Sequence, residues 1–169
     1  LDSVLTIKSR TPNVPCIDVR RFYDTSAETQ LTWLQPTSAP AVVVYTSGST
    51  GEPQPHPKTL AQLVDETTTL IKSFDLAGHR IVSVVPSHHL YGLLFSVMVP
   101  LLGGGSICRN SALQPAELLH LLKRHNADVL VAVPPHLRAL RDHVASLPPM
   151  HCVFSSGAPL LPSTAATLR

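Results

Sequence analysis

The sequence predicts an α/β fold in which a largely parallel sheet is flanked by helices on both faces. Short runs of β-branched and apolar residues alternate along the chain with segments long enough for helices. This alternation is typical of βαβ units, whose strands pair in parallel. In addition, three of the predicted strands end in loops rich in glycine, serine or other polar residues. Ligands bind at such strand ends in open α/β sheets.

Each element follows from a local pattern. Residues 41–45 are apolar and mostly β-branched, which predicts a buried strand. Residues 58–74 carry apolar side chains at helical spacing, with Asp65, Glu66 and Lys72 on the opposite face, which predicts an amphipathic helix. We further predict strands at 81–85, 106–109, 129–133 and 152–155, and helices at 90–101, 115–126, 136–144 and from Pro162 onward.

Composition limits the functional class. Only 14% of the 169 residues are charged, against about 25% in typical soluble domains. We therefore expect further polypeptide to cover part of the surface. The chain lacks an initiator Met and ends within a predicted helix, so we expect it to be a fragment. Residues 1–40 carry no assignable pattern, and we divide the chain into an N-terminal segment, 1–40, and a partial domain, 41–169.

Charge, cysteine content and hydropathy exclude several classes of partner. A net charge of +2 is too small to indicate a nucleic acid or a membrane surface. The sequence has no recognisable signal peptide and no apolar run of about 18 residues that would span a membrane. Three widely separated cysteines favour reduced thiols and a cytoplasmic location. The nine histidines show no spacing typical of a metal site.

The most informative motif is loop A, residues 46–51, which follows the first predicted strand. Its glycines allow the backbone to approach a ligand closely, and its successive N–H groups can form an anion-binding concavity. No Gly-Lys pair typical of a P-loop is present, and Ser47 stands where a serine-hydrolase elbow requires glycine. We predict that loop A binds a polyphosphate through Thr46, Ser47, Gly48, Ser49, Thr50 and Gly51. The alternative is an ordinary turn.

Residues 45–53, Tyr-Thr-Ser-Gly-Ser-Thr-Gly-Glu-Pro, resemble the phosphate-binding signature of the adenylate-forming superfamily, which includes acyl-CoA synthetases, fatty acyl-AMP ligases and adenylation domains. In that signature a lysine follows the proline, whereas this chain has Gln54, and the next lysine is Lys58. The resemblance implies that loop A holds the β- and γ-phosphates of ATP and that Thr50 is the residue of this chain that could reach Mg²⁺. Lys58 either assists at the phosphates or is a solvent-facing residue in the first turn of the predicted helix.

Two further loops resemble segments of the same superfamily. Loop B, residues 86–92, is similar to its Pro-x-x-His-x-x-Gly segment, which implies that His89 lies beside the α-phosphate and the acyl carboxylate. A histidine donor there would stabilise the charge of the reacting groups; the alternative is that His89 caps the following helix. Loop C, residues 155–159, resembles the segment that supports adenine, which implies an adenine-binding role for Gly157, Ala158 and Pro159.

The resemblance implies that residues 41–169 are part of an AMP-binding domain, within the large N-terminal domain of an adenylate-forming enzyme. The whole enzyme would use ATP and Mg²⁺ to convert a carboxylic acid to an acyl-adenylate, and would then transfer the acyl group to the thiol of CoA or an acyl carrier protein. Family segments that hold Mg²⁺ and ribose are absent, so we predict that this chain alone is inactive. Alternatives are a non-catalytic nucleotide-binding or interaction module, favoured by the displaced lysine, and an α/β hydrolase that uses Ser49.

Overall fold

The computed structural model describes residues 38–46, 54–109, 112 and 114–168. A π-helical segment spans Leu94–Met98, and a 3-10 helix spans Arg141–Ser146. The strands are β1 Pro40–Thr46, β2 Gln54–Thr59, β3 Arg80–Ser83, β4 Ser106–Arg109, β5 Val129–Ala132 and β6 Cys152–Ser155; the α-helices are α1 Leu60–Phe74, α2 Leu90–Leu93, α3 Val99–Gly103, α4 Pro115–Arg124, α5 Pro134–Leu140 and α6 Pro162–Thr167.

The predicted parallel sheet is confirmed. It has four strands in the order β4-β3-β5-β6, and all three neighbouring pairs are parallel. Residues of β5 alternate between two apolar cores, with Val129 and Val131 facing one core and Leu130 and Ala132 facing the other. This alternation follows from the two-residue period of a strand. Both faces of the sheet are therefore buried.

Helices cover the two faces, as predicted. On one face, α1 and the helical segment 90–103 contribute Leu63, Leu94, Phe95 and Val99 to the core. On the other face, α4 and α5 contribute Leu118, Leu119, Leu121, Leu122, Leu137 and Leu140. Full burial of a side chain of this size contributes about 1.5–3 kcal/mol. These two cores hold the carboxyl ends of β3, β5 and β6 in fixed positions at one edge of the sheet.

The prediction that residues 41–45 form a strand is confirmed, but the prediction that this strand is buried is wrong. β1 pairs with β2 in a separate antiparallel sheet of two strands. Only one face of this pair packs against the domain, so Val44 is buried while Val43 and Tyr45 remain 47% and 61% exposed. A strand that packs on one side alternates in exposure, and the apolar composition of β1 conceals that alternation.

β2 is a strand that the sequence analysis missed. The predicted helix at 58–74 begins instead at Leu60, where Thr59 caps it and exchanges hydrogen bonds with Gln62. Pro55 and Pro57 argue against a strand because proline cannot donate to a ladder. They are tolerated because they are two residues apart and oppose Tyr45 and Val43 at equivalent positions of the ladder. Both missing N–H groups are thus on the side of β2 that faces away from β1.

The predicted helix at 90–101 extends to Gly103, and its middle part is a π-helix rather than an α-helix. Pro100 has no N–H, and its ring would clash with the carbonyl group four residues earlier in a regular α-helix. The helix accommodates this proline by widening over the five residues before α3, where the Val99 N–H bonds to the carbonyl of Leu94. Such π-turns are often found near functional sites, and this one follows directly on loop B.

Candidate active site

Loops B and C both approach the carboxyl end of β5. The hydroxyl of Tyr91, in loop B, donates to the carbonyl oxygen of Ala132 at 3.3 Å. In loop C, a β-carbon built on Gly157 would lie 3.8 Å from Cγ1 of Val133. Ala132 and Val133 are consecutive residues at the end of β5. The structure therefore brings two of the three predicted loops to one place on the sheet edge.

His89 occupies the N-cap position of α2, but its side chain makes no capping hydrogen bond. Its carbonyl oxygen instead accepts the N–H of Leu93 at 2.7 Å, and its own N–H donates to Pro86 at 3.3 Å. The imidazole is exposed and contacts His88, with 4.2 Å between the ring centroids. The alternative in which the His89 side chain caps the helix is thus wrong. The ring is available to a ligand.

Loop B is closed tightly around Gly92. A β-carbon at this position would lie 2.1 Å from the carbonyl oxygen of Pro86, which is far inside van der Waals contact. The atom it would meet belongs to the backbone, so a side-chain rotation cannot relieve the clash. Glycine is therefore required here for space, and it allows the chain to fold back from Pro86 to the start of α2, next to His89.

Tyr91 connects loop B to the π-helical segment and to β5. Its ring packs edge-on against Phe95, with 5.2 Å between the centroids. Burial raises the pKa of the Tyr91 hydroxyl well above its ordinary value, more than the hydrogen bond to Ala132 lowers it. The side chain is therefore a neutral donor that anchors the loop.

Loop C is exposed and built from small residues. Gly157 has a φ of 88°, in the left-handed region that side chains rarely adopt. The described residues 155–159 are all solvent-exposed. An open stretch of backbone with small side chains is a surface on which a flat ring can lie; the adenine-binding role of Gly157, Ala158 and Pro159 stays a prediction.

Loop A falls largely outside the described residues. Of its six predicted phosphate-binding residues, Ser47, Gly48, Ser49, Thr50 and Gly51 lie outside the description, and Thr46 is described only in its backbone. Thr46 pairs with Gln54 across the β1–β2 ladder. The residues of loop A therefore follow the last described pair of this ladder.

Lys58 lies in β2 opposite Val42, four residues beyond Gln54. At about 3.3 Å per residue, that separation is about 13 Å along the strand. Its ammonium forms an ion pair with Glu66 of α1 at 3.0 Å, and its side chain is 27% exposed. The alternative of a solvent-facing residue in a first helical turn is thus wrong, because Lys58 precedes the helix and is paired with it.

His136 was not identified from the sequence. It lies in the first turn of α5, and its backbone N–H donates to the carbonyl oxygen of Val133 at 3.0 Å. Val133 is also the residue that Gly157 approaches. Its Nδ1 atom is buried and has no hydrogen-bond partner within the described part of the chain. Burial lowers the pKa of His136. The only sequence signal was its place just after a strand end.

Within residues 38–46, 54–109, 112 and 114–168, no group of three or more His, Cys, Asp or Glu side chains is placed to hold a metal ion. Within the same residues, no helix is long and apolar enough to cross a membrane.

Comparison with known proteins identifies the class. A model of the AMP-binding enzyme family matches residues 5–169, so the chain belongs to this family. The match also includes most of residues 1–40, to which the motifs assign nothing. The α/β fold is shared with solved structures such as O-succinylbenzoate CoA synthetase (MenE) from Bacillus subtilis, which superimposes with a TM-score of 0.67 at 21% identity, covering 76% of this chain and 27% of that one.

Individual relatives are CoA ligases. The chain is 35% identical over 121 residues to a 4-coumarate–CoA ligase of Rhodobacter capsulatus, which covers 70% of this chain and 31% of the relative. It is 30% identical over 129 residues to a sulfoacetate–CoA ligase of Cupriavidus necator, covering 67% and 25%. ATP-bound MatB from Rhodopseudomonas palustris superimposes with a TM-score of 0.66 at 26% identity, covering 76% and 26%. The chain thus spans less than a third of the length of these relatives.

Proposed function

We propose that the whole protein activates a carboxylic acid with ATP to form an acyl-adenylate, and then transfers the acyl group to the thiol of CoA or of an acyl carrier protein. The observation that carries this proposal is that loops B and C both approach the end of β5, loop B through Tyr91 and loop C through Gly157. Membership in the AMP-binding family and the CoA-ligase relatives support the reaction class.

The nucleotide would be held by loops A and C. Loop A offers hydroxyls and backbone N–H groups to the β- and γ-phosphates, and the exposed small residues of loop C accept the adenine ring. The positive φ of Gly157 and the exposure of its neighbours fit a flat group lying on the backbone. Mg²⁺ would neutralise part of the phosphate charge, and Thr50 is the residue of this chain proposed to reach it.

His89 would act at the reacting centre. The substrate carboxylate attacks the α-phosphorus of ATP, the bond to the bridging oxygen breaks, and pyrophosphate leaves. Negative charge is spread over the phosphoryl oxygens during this step, and a positioned N–H donor stabilises it. An exposed imidazole that is not used for helix capping is suited to this role. Tyr91 and Gly92 hold the loop that presents it.

Pyrophosphate release by the full-length protein, measured with ATP and a panel of acids that includes 4-coumarate and sulfoacetate, tests the proposal. We expect at least one acid to support release and His89→Ala to reduce kcat about 100-fold or more. His88→Ala is the matched control, because His88 is the exposed histidine in contact with His89, and it should retain most activity. Equal loss in the two variants would contradict the role assigned to His89.

The 169-residue chain by itself should not catalyse pyrophosphate release from ATP. Its relatives are more than three times as long as the region they share with it, and the family segments that bind Mg²⁺ and ribose are not among its motifs. Clear acid-dependent pyrophosphate release by the isolated chain would show that these segments are dispensable.

One observation favours a second candidate, a nucleotide-binding module without catalysis. Gln54 replaces the signature lysine, and the nearest lysine, Lys58, is held by Glu66 at 3.0 Å. A protein of this kind would bind ATP without releasing pyrophosphate from it in the presence of any acid. Calorimetric titration of ATP into the full-length protein, combined with the release assay, distinguishes the two functions.

A further inference from the structure

Two buried serines, Ser83 and Ser96, lie on either side of loop B in the chain. Ser83 is the last residue of β3, and Ser96 belongs to the π-helical segment that follows loop B. Their side chains are only 2% and 1% exposed, and the hydroxyl of Ser96 donates to Oγ of Ser83 at 2.7 Å. We call these two side chains the hydroxyl pair. Their hydrogen bond joins the helical segment to the end of β3.

Ser83 also holds the start of loop B. Its hydroxyl donates to the carbonyl oxygen of Val85 at 3.3 Å and accepts the backbone N–H of the same residue at 3.3 Å. A serine hydroxyl has one proton to donate and two lone pairs that accept. Together with the bond from Ser96, these contacts use its full capacity. Since Val85 directly precedes Pro86, the Ser83 hydroxyl is bonded to residues on both sides of loop B.

The hydroxyl pair lies within an apolar core. Side chains of a strand alternate in direction, so Ser83 is on the same face as Ile81, which is part of the core to which the helical segment 90–103 contributes. Replacing a buried hydrogen-bonded pair by apolar groups of the same shape can be nearly neutral for stability. A hydrogen bond has narrow limits of distance and angle, however, and so restricts how the two elements are placed. This favours a role in position over a role in stability.

His89 depends on the attachments of loop B for its position. Its backbone hydrogen bonds are local, to residues within loop B or directly after it, and its ring is exposed. Tyr91 attaches the loop to β5. The hydroxyl pair attaches both of its ends to β3, which is the neighbouring strand. A loop that is fixed to two adjacent strands can present His89 in one place.

We propose that Ser83 and Ser96 are positioning residues, whose paired hydroxyls hold both ends of loop B and thereby place His89 at the reacting centre. This inference rests on the proposed function, in which the imidazole of His89 donates to the phosphoryl oxygens. Such a donor must lie at hydrogen-bond distance from the charge that it stabilises. A displacement of about 1 Å can lower the rate about 100-fold, even when its cause lies away from the reacting atoms.

Pyrophosphate release by the full-length protein, with ATP and an acid that supports release, tests this role. Ser96→Ala removes the bond across loop B and leaves the bonds between Ser83 and Val85 in place. We expect kcat to fall about tenfold or more and KM for ATP to change about twofold or less, because loops A and C are proposed to hold the nucleotide. Thr67→Val is the matched control. It also removes a buried hydroxyl, which donates to Leu63 within α1 at 2.6 Å, and it should keep the wild-type kcat.

Combination with His89→Ala separates positioning from general structural damage. If Ser96 acts through His89, adding Ser96→Ala to His89→Ala lowers kcat no further. Ser83→Ala, which removes the acceptor of the same bond, should show the same loss and the same dependence on His89. Equal losses in the presence and absence of His89 would overturn the proposal. A wild-type kcat in both serine variants, or an equal loss in Thr67→Val, would overturn it as well.

Hydrogen–deuterium exchange of backbone amides gives a readout that does not depend on activity. We expect peptides that contain residues 86–93 to exchange about fivefold faster or more in Ser96→Ala than in the wild type, and Thr67→Val to leave them unchanged. Unchanged exchange in Ser96→Ala would overturn the proposal even if kcat fell. If the wild type released no pyrophosphate with any acid, the proposed function would fail. Faster exchange would then still support the attachment of loop B by the hydroxyl pair, and unchanged exchange would refute it.

Discussion

The hydroxyl of Tyr91 donates to the carbonyl oxygen of Ala132 at 3.3 Å, and this contact attaches the loop that carries His89 to the end of a central strand. Forty-one residues separate the two partners along the chain. Loop C approaches the adjacent position, because a β-carbon built on Gly157 would lie 3.8 Å from Cγ1 of Val133, the residue after Ala132. The relative position of the catalytic and adenine-binding candidates thus depends on the end of β5.

Replacing Tyr91 with Phe should weaken this attachment. The substitution keeps the contact with Phe95 but removes the hydrogen bond, so we expect a loss of about 0.5–1.5 kcal/mol in the free energy of unfolding. Urea denaturation measures this loss. Tyr45→Phe is the matched control, since Tyr45 is 61% exposed and should change stability little. Equal stability of the two variants would show that the Ala132 contact contributes nothing.

Gly92→Ala should lower the free energy of unfolding more than the same substitution at a glycine whose only special feature is a positive φ. The new β-carbon would overlap the Pro86 carbonyl, and we expect a cost of about 3 kcal/mol or more. Gly78→Ala is the comparison: its φ is 75° but no atom lies within 4 Å, so backbone strain of about 1 kcal/mol is its main cost. A larger loss for Gly78→Ala in denaturation would contradict the packing at Gly92.

Lys58 can be tested by breaking its ion pair from each side. Lys58→Ala and Glu66→Gln both remove the pair and should each cost at most about 1 kcal/mol in the free energy of unfolding. Only Lys58→Ala also removes the cation proposed to assist at the phosphates. We therefore expect Lys58→Ala to weaken ATP binding and Glu66→Gln to preserve or strengthen it. The same ATP affinity in both variants would restrict Lys58 to a structural role.

His136 should make the domain less stable under mildly acidic conditions. Burial lowers its folded pKa below the unfolded value of about 6.5. Below that pH the unfolded state binds a proton first, so stability falls as pH decreases from about 6.5 through the folded pKa. His136→Leu should remove this component of the pH dependence. It also removes the buried Nδ1 that lacks a partner among the described residues, so it should not destabilise the domain near neutral pH.

The control for this prediction is His143→Leu, in the exposed 3-10 helix. His143 is exposed, so this substitution disturbs no buried contact, and the stability of the variant should keep the pH dependence of the wild type. Chemical denaturation at a series of pH values separates the two variants. If His136→Leu retained the wild-type dependence, another group would be responsible for it.

Local patterns were enough to predict most of the sheet. The strands at 106–109 and 152–155 have the predicted bounds, and β3 and β5 start or end within a residue or two of prediction. Strand propensity and helical spacing act over a few residues, so a single sequence contains them. β2 was missed because its two prolines reduce strand propensity, and only pairing with β1 reveals that they fall at tolerated positions.

The candidate site was predicted in part for the same reason. A glycine that must fold back, or a polar residue at a strand end, is visible in the local order of residues, as at Gly92 and His89. The buried nitrogen of His136 was not visible, because burial depends on packing by other elements. The contact between His79 and Asp128 was not visible either, since the two residues are 49 positions apart along the chain.

The sequence by itself determined the family, most of the strands and helices, and the loops predicted to bind the nucleotide, because each of these depends on neighbouring residues. The tertiary structure alone decided which distant groups touch: Tyr91 with Ala132, Gly157 with Val133, and His79 with His151. Those pairings depend on how helices pack on the two faces of the sheet. Packing is a property of the assembled cores, and no local pattern specifies it.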